Sequence, residues 1–484
     1  MAHDSQNVTR RAFFDRVADG LYGVALMTLL SSDLYGTPPT DGDEGTRAAY
    51  DLAKRSPHFT PKAKSVIHLF MNGGPSQMDL FDPKPMLEKH HGQPYFDKVA
   101  ADLTTPESAG GLMRSPFKFK QFGKSGAWIS DAMPHFSEVV DDVALIRSMY
   151  TMHPNHEPAL FAIQGGRIIP GRPSMGSWVV YGLGTENQGL PAYVVLDDPL
   201  GLPVNGTQNW QAGFLPPIYQ GTRIRSTGSP ILNLTPEVKA PNEVIQAGRE
   251  LLSRLDQIHK RQHQNQLQLD ARIASYELAA KLQMEATDAL DINKESKETL
   301  EMYGVGQETT DSYARRCIMA RRLVERGVRF VQLYINGQIW DNHSYLQRDM
   351  KAACSRTDKP VAALLKDLKQ RGLMKDTLVI WGGEFGRMPI SQIDNGLESA
   401  GRDHNPHAFT LWMAGAGVKP GTVLGTTDEL GYEAVEDRVS VTDWHATILH
   451  LLGLDYQRLV FDQNGLKEKL TSVLEARVVK QILV

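Results

Sequence analysis

Short apolar runs, each stopped by a polar or glycine-rich turn, are what most constrains this chain. Ser65-Val66-Ile67-His68-Leu69-Phe70-Met71 ends in Asn72-Gly73-Gly74-Pro75-Ser76, residues 143–149 lead into a histidine-rich connection, and residues 192–196 end at Asp197-Asp198. Runs this short, rich in Val, Ile and Leu and without strict alternation, read as strands buried on both faces. Helical stretches recur between them, and strand, turn and helix in repetition build a mostly parallel sheet. The clearest unit is late: a helix over 313–326, a strand over 328–334, a helix over 357–370 and a strand over 377–381. A further strand is expected over 408–413 and a closing helix over 441–452. The expected fold is therefore α/β, a doubly wound, mostly parallel sheet sandwiched by helices.

At 484 residues and 41% hydrophobic composition the chain can bury a large core without a disulfide staple. Its two cysteines, Cys317 and Cys354, support neither a disulfide scaffold nor a thiolate metal site. A formal charge of −4 gives no whole-chain attraction for nucleic acid, and none is expected as a partner. From Glu243 to about residue 290 the pattern turns long, polar and helical, with Leu251, Leu255, Ile258, Leu267, Leu269, Ile273 and Leu278 on partial apolar faces. This reads as a helical insertion over 243–300 that divides one α/β domain into 61–242 and 301–484. Its apolar residues serve either the core or a homo-oligomer face.

The start of the chain has its own signal. Arg10-Arg11 precedes the mildly apolar stretch 21–30, a charged region followed by a short apolar one. An adjacent arginine pair in this position fits a twin-arginine export signal over residues 1–35, read by the export machinery and directing the protein to the periplasm or beyond. The alternatives are an uncleaved N-terminal membrane anchor, since an Ala-x-Ala site is missing, and an ordinary amphipathic helix. Residues 36–60, with Pro38-Pro39, read as a linker. No later stretch reaches the roughly 18 apolar residues that span a bilayer.

Residues suited to metal chemistry gather just after the apolar runs. Trp340-Asp341-Asn342-His343 follows the strand over 328–334, and Asp341 and His343 are candidate ligands. Glu384 follows Trp381 by three residues across two glycines, and Arg387 is near enough to orient it or to clamp a substrate anion. Asp403 and His404, beside Arg402, are a further candidate pair, and His445 in Asp443-Trp444-His445 lines the pocket unless this stretch only caps the last helix. Imidazole with carboxylate suits Zn, Fe or Mn, carboxylate with water suits Mg or Ca, and one or two divalent ions are expected. At the first strand end Ser76 is the candidate nucleophile and Asn72 a candidate oxygen ligand. In His153-Pro154-Asn155-His156-Glu157-Pro158, His156 is a candidate ligand or proton shuttle. Neither a dinucleotide fingerprint, nor a Walker A sequence, nor His-Glu-x-x-His appears.

Taken in order, these stretches, with Phe81-Asp82-Pro83-Lys84-Pro85 and Arg172-Pro173-Ser174-Met175-Gly176-Ser177-Trp178, resemble the sulfatase-like family designated domain of unknown function 1501, within the alkaline-phosphatase-like superfamily. The resemblance spans about residues 60 to 455. It implies an alkaline-phosphatase/sulfatase-like fold and metal-assisted attack on a phosphate or sulfate ester, small molecule or glycan. It also implies that Asn72, Asp341, His343, Glu384 and His404 are counterparts of the superfamily's ligands. Two departures stand out. Asn155-His156-Glu157-Pro158 stands where sulfatases carry a Cys or Ser nucleophile before Pro-Ser-Arg, so a formylglycine mechanism is not expected. Glu384 stands where relatives generally use Asp. The rival expectation is a carbohydrate- or envelope-binding protein that keeps the fold without catalysis.

Overall fold

All six side chains of the first strand, β1 (Ser65–Phe70), are buried, as a non-alternating apolar run requires. In this computed structural model, which describes residues 51–187, 189–225, 241–262, 288–392 and 396–484, β1 lies at the centre of a nine-stranded sheet. The remaining strands are β2 (Val143–Tyr150), β3 (Tyr193–Leu196), β4 (Thr222–Ile224), β5 (Phe330–Tyr334), β6 (Thr377–Gly382), β7 (Phe409–Ala414), β8 (Thr422–Leu424) and β9 (Val439–Ser440). Their order is β8-β2-β7-β6-β1-β5-β3-β4, with β9 also pairing β2. The export segment and most of the linker expected over 36–60 lie outside the described residues.

Six of these pairings are parallel and two, β7 with β2 and with β6, are antiparallel. β7 alone therefore runs against the sheet. The consequence is local and large: residues 383–408 leave the carboxyl end of β6 and must re-enter the sheet through β7 from that same edge. The carboxyl ends of β1, β2, β5 and β9 lie there too, so every stretch carrying a candidate ligand leaves or enters the sheet at one rim.

Helices cover both faces. On one, α4 (Asp311–Glu325) and α5 (Leu346–Gln370) bury Cys317, Ile318, Leu323, Leu364 and Leu365 against Ile67, Leu69, Val331, Leu333 and Val379. On the other lie α1 (His156–Gly165), α2 (Met175–Leu183) and α6 (Val441–Leu451): Trp444 meets the ring of His68 at 5.8 Å, and Gly176 lies against Tyr193. α3 (Asn242–Gln262) begins the polar helical stretch and leaves Val244, Leu252, Leu255 and Ile258 exposed. α5 starts eleven residues before the sequence pattern implied. Its inward positions Leu346, Met350, Ala353, Cys354 and Thr357 are spaced helically among polar residues, and Pro360 does not end it. α6 opens with a capping box, Ser440 Oγ accepting from Asp443 N at 3.0 Å and Asp443 Oδ2 from Ser440 N at 3.1 Å. Both cysteines are free and buried. Among the described residues no helix is long and apolar enough to cross a membrane.

The face under α1 and α6 holds a buried polar group. Tyr193 Oη donates to Gln332 Oε1 at 2.5 Å, Gln332 Nε2 to Gln164 Oε1 at 3.0 Å, and His445 Nε2 bonds the Ile163 carbonyl at 2.8 Å. Burial, with His445 nearby, drives His68 from the ordinary 6.5 down to about 3, and burial drives His445 to about 4 against the opposing bond to Ile163. Both rings fold neutral. Between pH 6.5 and these values the unfolded chain binds more protons, so their contribution to stability is complete above 6.5 and is lost as pH falls. The expected result is a drop of about 2 kcal/mol per ring in unfolding free energy between pH 7 and pH 5. Urea denaturation at the two pH values checks it, and equal midpoints would refute it.

Candidate metal centre

The loop after β5 reaches the rim because its tryptophan is an anchor. Trp340 is fully buried, edge-on to Trp381 at 6.1 Å, and its backbone N–H donates to the Asn72 carbonyl at 3.3 Å. Asp341 and His343 then project over the edge. Across from them, Gly386–Arg387 pairs antiparallel with His404–Asn405, which sets Arg387 opposite His404. Gly401 lies so close to this loop that a Cβ there would stand 2.1 Å from the His343 carbonyl carbon. His156 opens α1 after the turn that follows β2.

Four side chains converge: ligand atoms of His156, Asp341, His343 and His404 all lie within 4.8 Å of one another. Asp341 Oδ1 is 2.8 Å from His343 Nε2 and 3.1 Å from His404 Nε2, and Oδ2 is 3.2 Å from His156 Nε2, an approach too far off line to be a hydrogen bond. The Nε2 atoms of His343 and His404 are themselves 2.9 Å apart. Three imidazole nitrogens and a carboxylate directed at one point repel or compete for protons unless positive charge sits among them. The donor set therefore fits a divalent cation. His404 is buried and the other three are half-buried, so the group opens to solvent.

Glu384 lies one step outside. Its Oε1 accepts from His156 Nδ1 at 2.7 Å and from Gly73 N at 3.0 Å, while Oε2 is buried without a hydrogen-bond partner. A carboxylate on the far nitrogen of an imidazole fixes the tautomer that leaves Nε2 free to ligate. Burial opposes charge on His156, but the nearby carboxylates of Asp341 and Glu384, the second hydrogen-bonded to it, prevail and raise its pKa to about 9. Burial lowers His404 to about 3 against its bond to Asp341, with the charges on Arg387 and His156 adding to the effect. For Asp341 burial is outweighed by Arg387 and by the three histidines, and its carboxyl is held far below the usual range.

The other sequence-derived candidates have partners of their own. Arg387 is fully buried behind Asp341: Nη2 reaches Asp341 Oδ1 at 2.6 Å and also the Gly73 carbonyl, Nε donates to Gly74 O at 3.0 Å, and Nη1 to Arg402 O at 3.0 Å. Arg402 is equally buried and pairs with Asp79 at 2.7 and 3.2 Å, so neither guanidinium reaches solvent. Ser76 is buried, donating to Asp79 Oδ2 at 2.5 Å. Asn72 donates from Nδ2 to the Ile335 carbonyl at 2.6 Å, joining the β1 and β5 turns, and its Oδ1 is buried without a partner. Asp403 accepts from the backbone of Thr104 at 2.9 Å, Thr105 at 3.2 Å and His404 at 2.7 Å, which turns it toward the 104–105 segment. His445 is in the interior beside Ile163, outside the four-residue group. Gln392, whose Oε1 contacts His343 Nδ1, had no signal in the sequence: it is one polar residue in a three-residue strand.

A search of curated proteins finds no match. Similar solved structures include the phosphonate monoester hydrolase SpPMH from Silicibacter pomeroyi, at 12% identity over 72% of this chain and 71% of that one, TM-score 0.34. Others are the PsFucS1 sulfatase from Pseudoalteromonas sp., at 12% identity over 83% and 68%, TM-score 0.35, and a TAB5 alkaline phosphatase mutant with Mg bound, at 12% identity over 75% and 94%, TM-score 0.35. Residues 63–483 match the family described as protein of unknown function (DUF1501), and the chain belongs to that family.

Proposed function

We propose that this protein is an exported, metal-dependent hydrolase of phosphate or sulfate esters. The observation that carries the metal-dependent part is the convergence of His156, Asp341, His343 and His404 at the carboxyl edge of the sheet. The ester class rests on the sequence's resemblance to the sulfatase-like superfamily, and export rests on Arg10-Arg11 before the apolar stretch 21–30. Three imidazoles with one carboxylate favour Zn or Mn over the oxygen-seeking Ca and Mg. A single such group among the described residues favours one ion.

His156, Asp341, His343 and His404 would hold the ion, which would supply a Lewis acid for an ester oxygen and a means of activating water. The chain's own contribution is orientation. Glu384 holds the His156 ring by Nδ1, and Arg387 holds the Asp341 carboxylate while clamping the glycine turn behind it. Water is the nucleophile that suits this geometry, because the Ser76 hydroxyl is spent on Asp79 inside the protein. Glycan and small-molecule esters outside the cytoplasm are the substrates to which export gives access.

Protein purified without chelator is expected to carry about one Zn or Mn ion per chain. Folded Asp341→Ala and His404→Ala proteins lose that ion, and turnover of aryl phosphate and sulfate esters falls by more than the roughly 100-fold typical of an outer-shell loss. Elemental analysis with an ester screen reads both, and a folded wild type that takes up neither metal on reconstitution refutes the reading. Arg387→Lys keeps the charge without the fork, and a loss of about 3 kcal/mol in unfolding free energy with reduced metal content is expected. Denaturant melts of the variant test this, and an unchanged midpoint contradicts the clamp.

A further inference from the structure

We propose that Gln392 is a positioning residue that fixes the tautomer of His343, and that Thr105 and Ser108 fix the Gln392 amide. The inference rests on the metal-centre reading above. It follows from protons already committed. Ser108 Oγ donates to the Thr105 carbonyl at 3.0 Å, and Thr105 Oγ1 donates to Asp403 Oδ2 at 3.4 Å. A hydroxyl carries one proton, so toward Gln392 both oxygens can only accept. Gln392 presents Nε2 to both, at 3.2 Å from Ser108 Oγ and closer to Thr105 Oγ1. With the NH2 end turned that way, Oε1 faces His343 Nδ1 and accepts its proton. Nε2 of His343 is then the nitrogen left to serve the cluster, facing Asp341 Oδ1 and His404 Nε2.

The flipped amide is disfavoured by the same count. It would set Oε1 against two oxygens with no proton to give and would press an N–H onto His343 Nδ1, demanding the opposite tautomer. The backbone leaves Gln392 little freedom, since its N–H and C=O both bond Gly401, at 2.9 and 3.0 Å, and its side chain is buried. The 104–108 segment thus supports two ligands by separate routes, His343 through Gln392 and His404 through Asp403.

Nitrogen-15 NMR of histidine-labelled, metal-free protein reads the tautomer directly, and chelator competition reads the zinc affinity. The wild type is expected to show His343 protonated at Nδ1, and Gln392→Ala a tautomer mixture with zinc binding weakened roughly 10- to 100-fold. A wild-type His343 with no proton on Nδ1, or a folded Gln392→Ala with unchanged affinity, overturns the proposal. Should Gln392→Ala fail to fold, Thr105→Val combined with Ser108→Ala keeps Gln392 but frees its amide: a tautomer mixture supports the proposal and an unaltered Nδ1 proton overturns it. If the wild type takes up no zinc, the metal-centre reading fails alone and the His343 tautomer still decides the role of Gln392.

Discussion

One buried guanidinium holds the rim of this protein together. Arg387 binds the carbonyls of Gly73, Gly74 and Arg402 and the carboxylate of Asp341, so the turn after β1, the loop after β5 and the returning segment before β7 share one positive charge. Removing such a charge from water is costly, and only a full set of acceptors offsets the loss. The glycine turn supplies them at a stated steric cost. Gly73 has a φ of +107°, and a side chain there would bring a Cβ within 2.6 Å of the Asp341 backbone nitrogen. The guanidinium is therefore spent on architecture, and its service to chemistry is to aim Asp341.

The carboxylates divide their work by position. Asp341 meets three imidazoles, Glu384 holds one of those imidazoles from behind, Asp403 ties the strand bearing another to the 104–105 segment, and Asp79 neutralises Arg402 in the interior. Four acids of the same chemistry thus have four functions, and burial with hydrogen-bond partners assigns them. An inner group backed by an outer layer is what fixes the geometry of a candidate metal site.

Much of the frame was legible in the linear pattern. β1, β2, β3, β5, β6 and β7 lie within a residue or two of the apolar runs, because a strand buried on both faces needs an uninterrupted apolar stretch. The early turns of α5 were not legible, since its buried positions are diluted by an exposed polar face. The reversed direction of β7 was not legible either, because strand direction leaves no mark on composition. Of the candidate site residues, His156, Asp341, His343 and His404 come together, whereas Ser76, Arg387 and His445 are enclosed by other partners.

The sequence by itself determined that ligand-type residues follow buried strands, and with that an α/β sheet whose carboxyl edge carries them. It does so because apolar run length and glycine turns are local properties. Only the tertiary structure decided which acids and histidines meet, which are held behind them, and that Gln392 belongs among them. Those choices depend on distances between residues tens to hundreds of positions apart, such as His156 and Glu384, and on which hydroxyl protons are already committed.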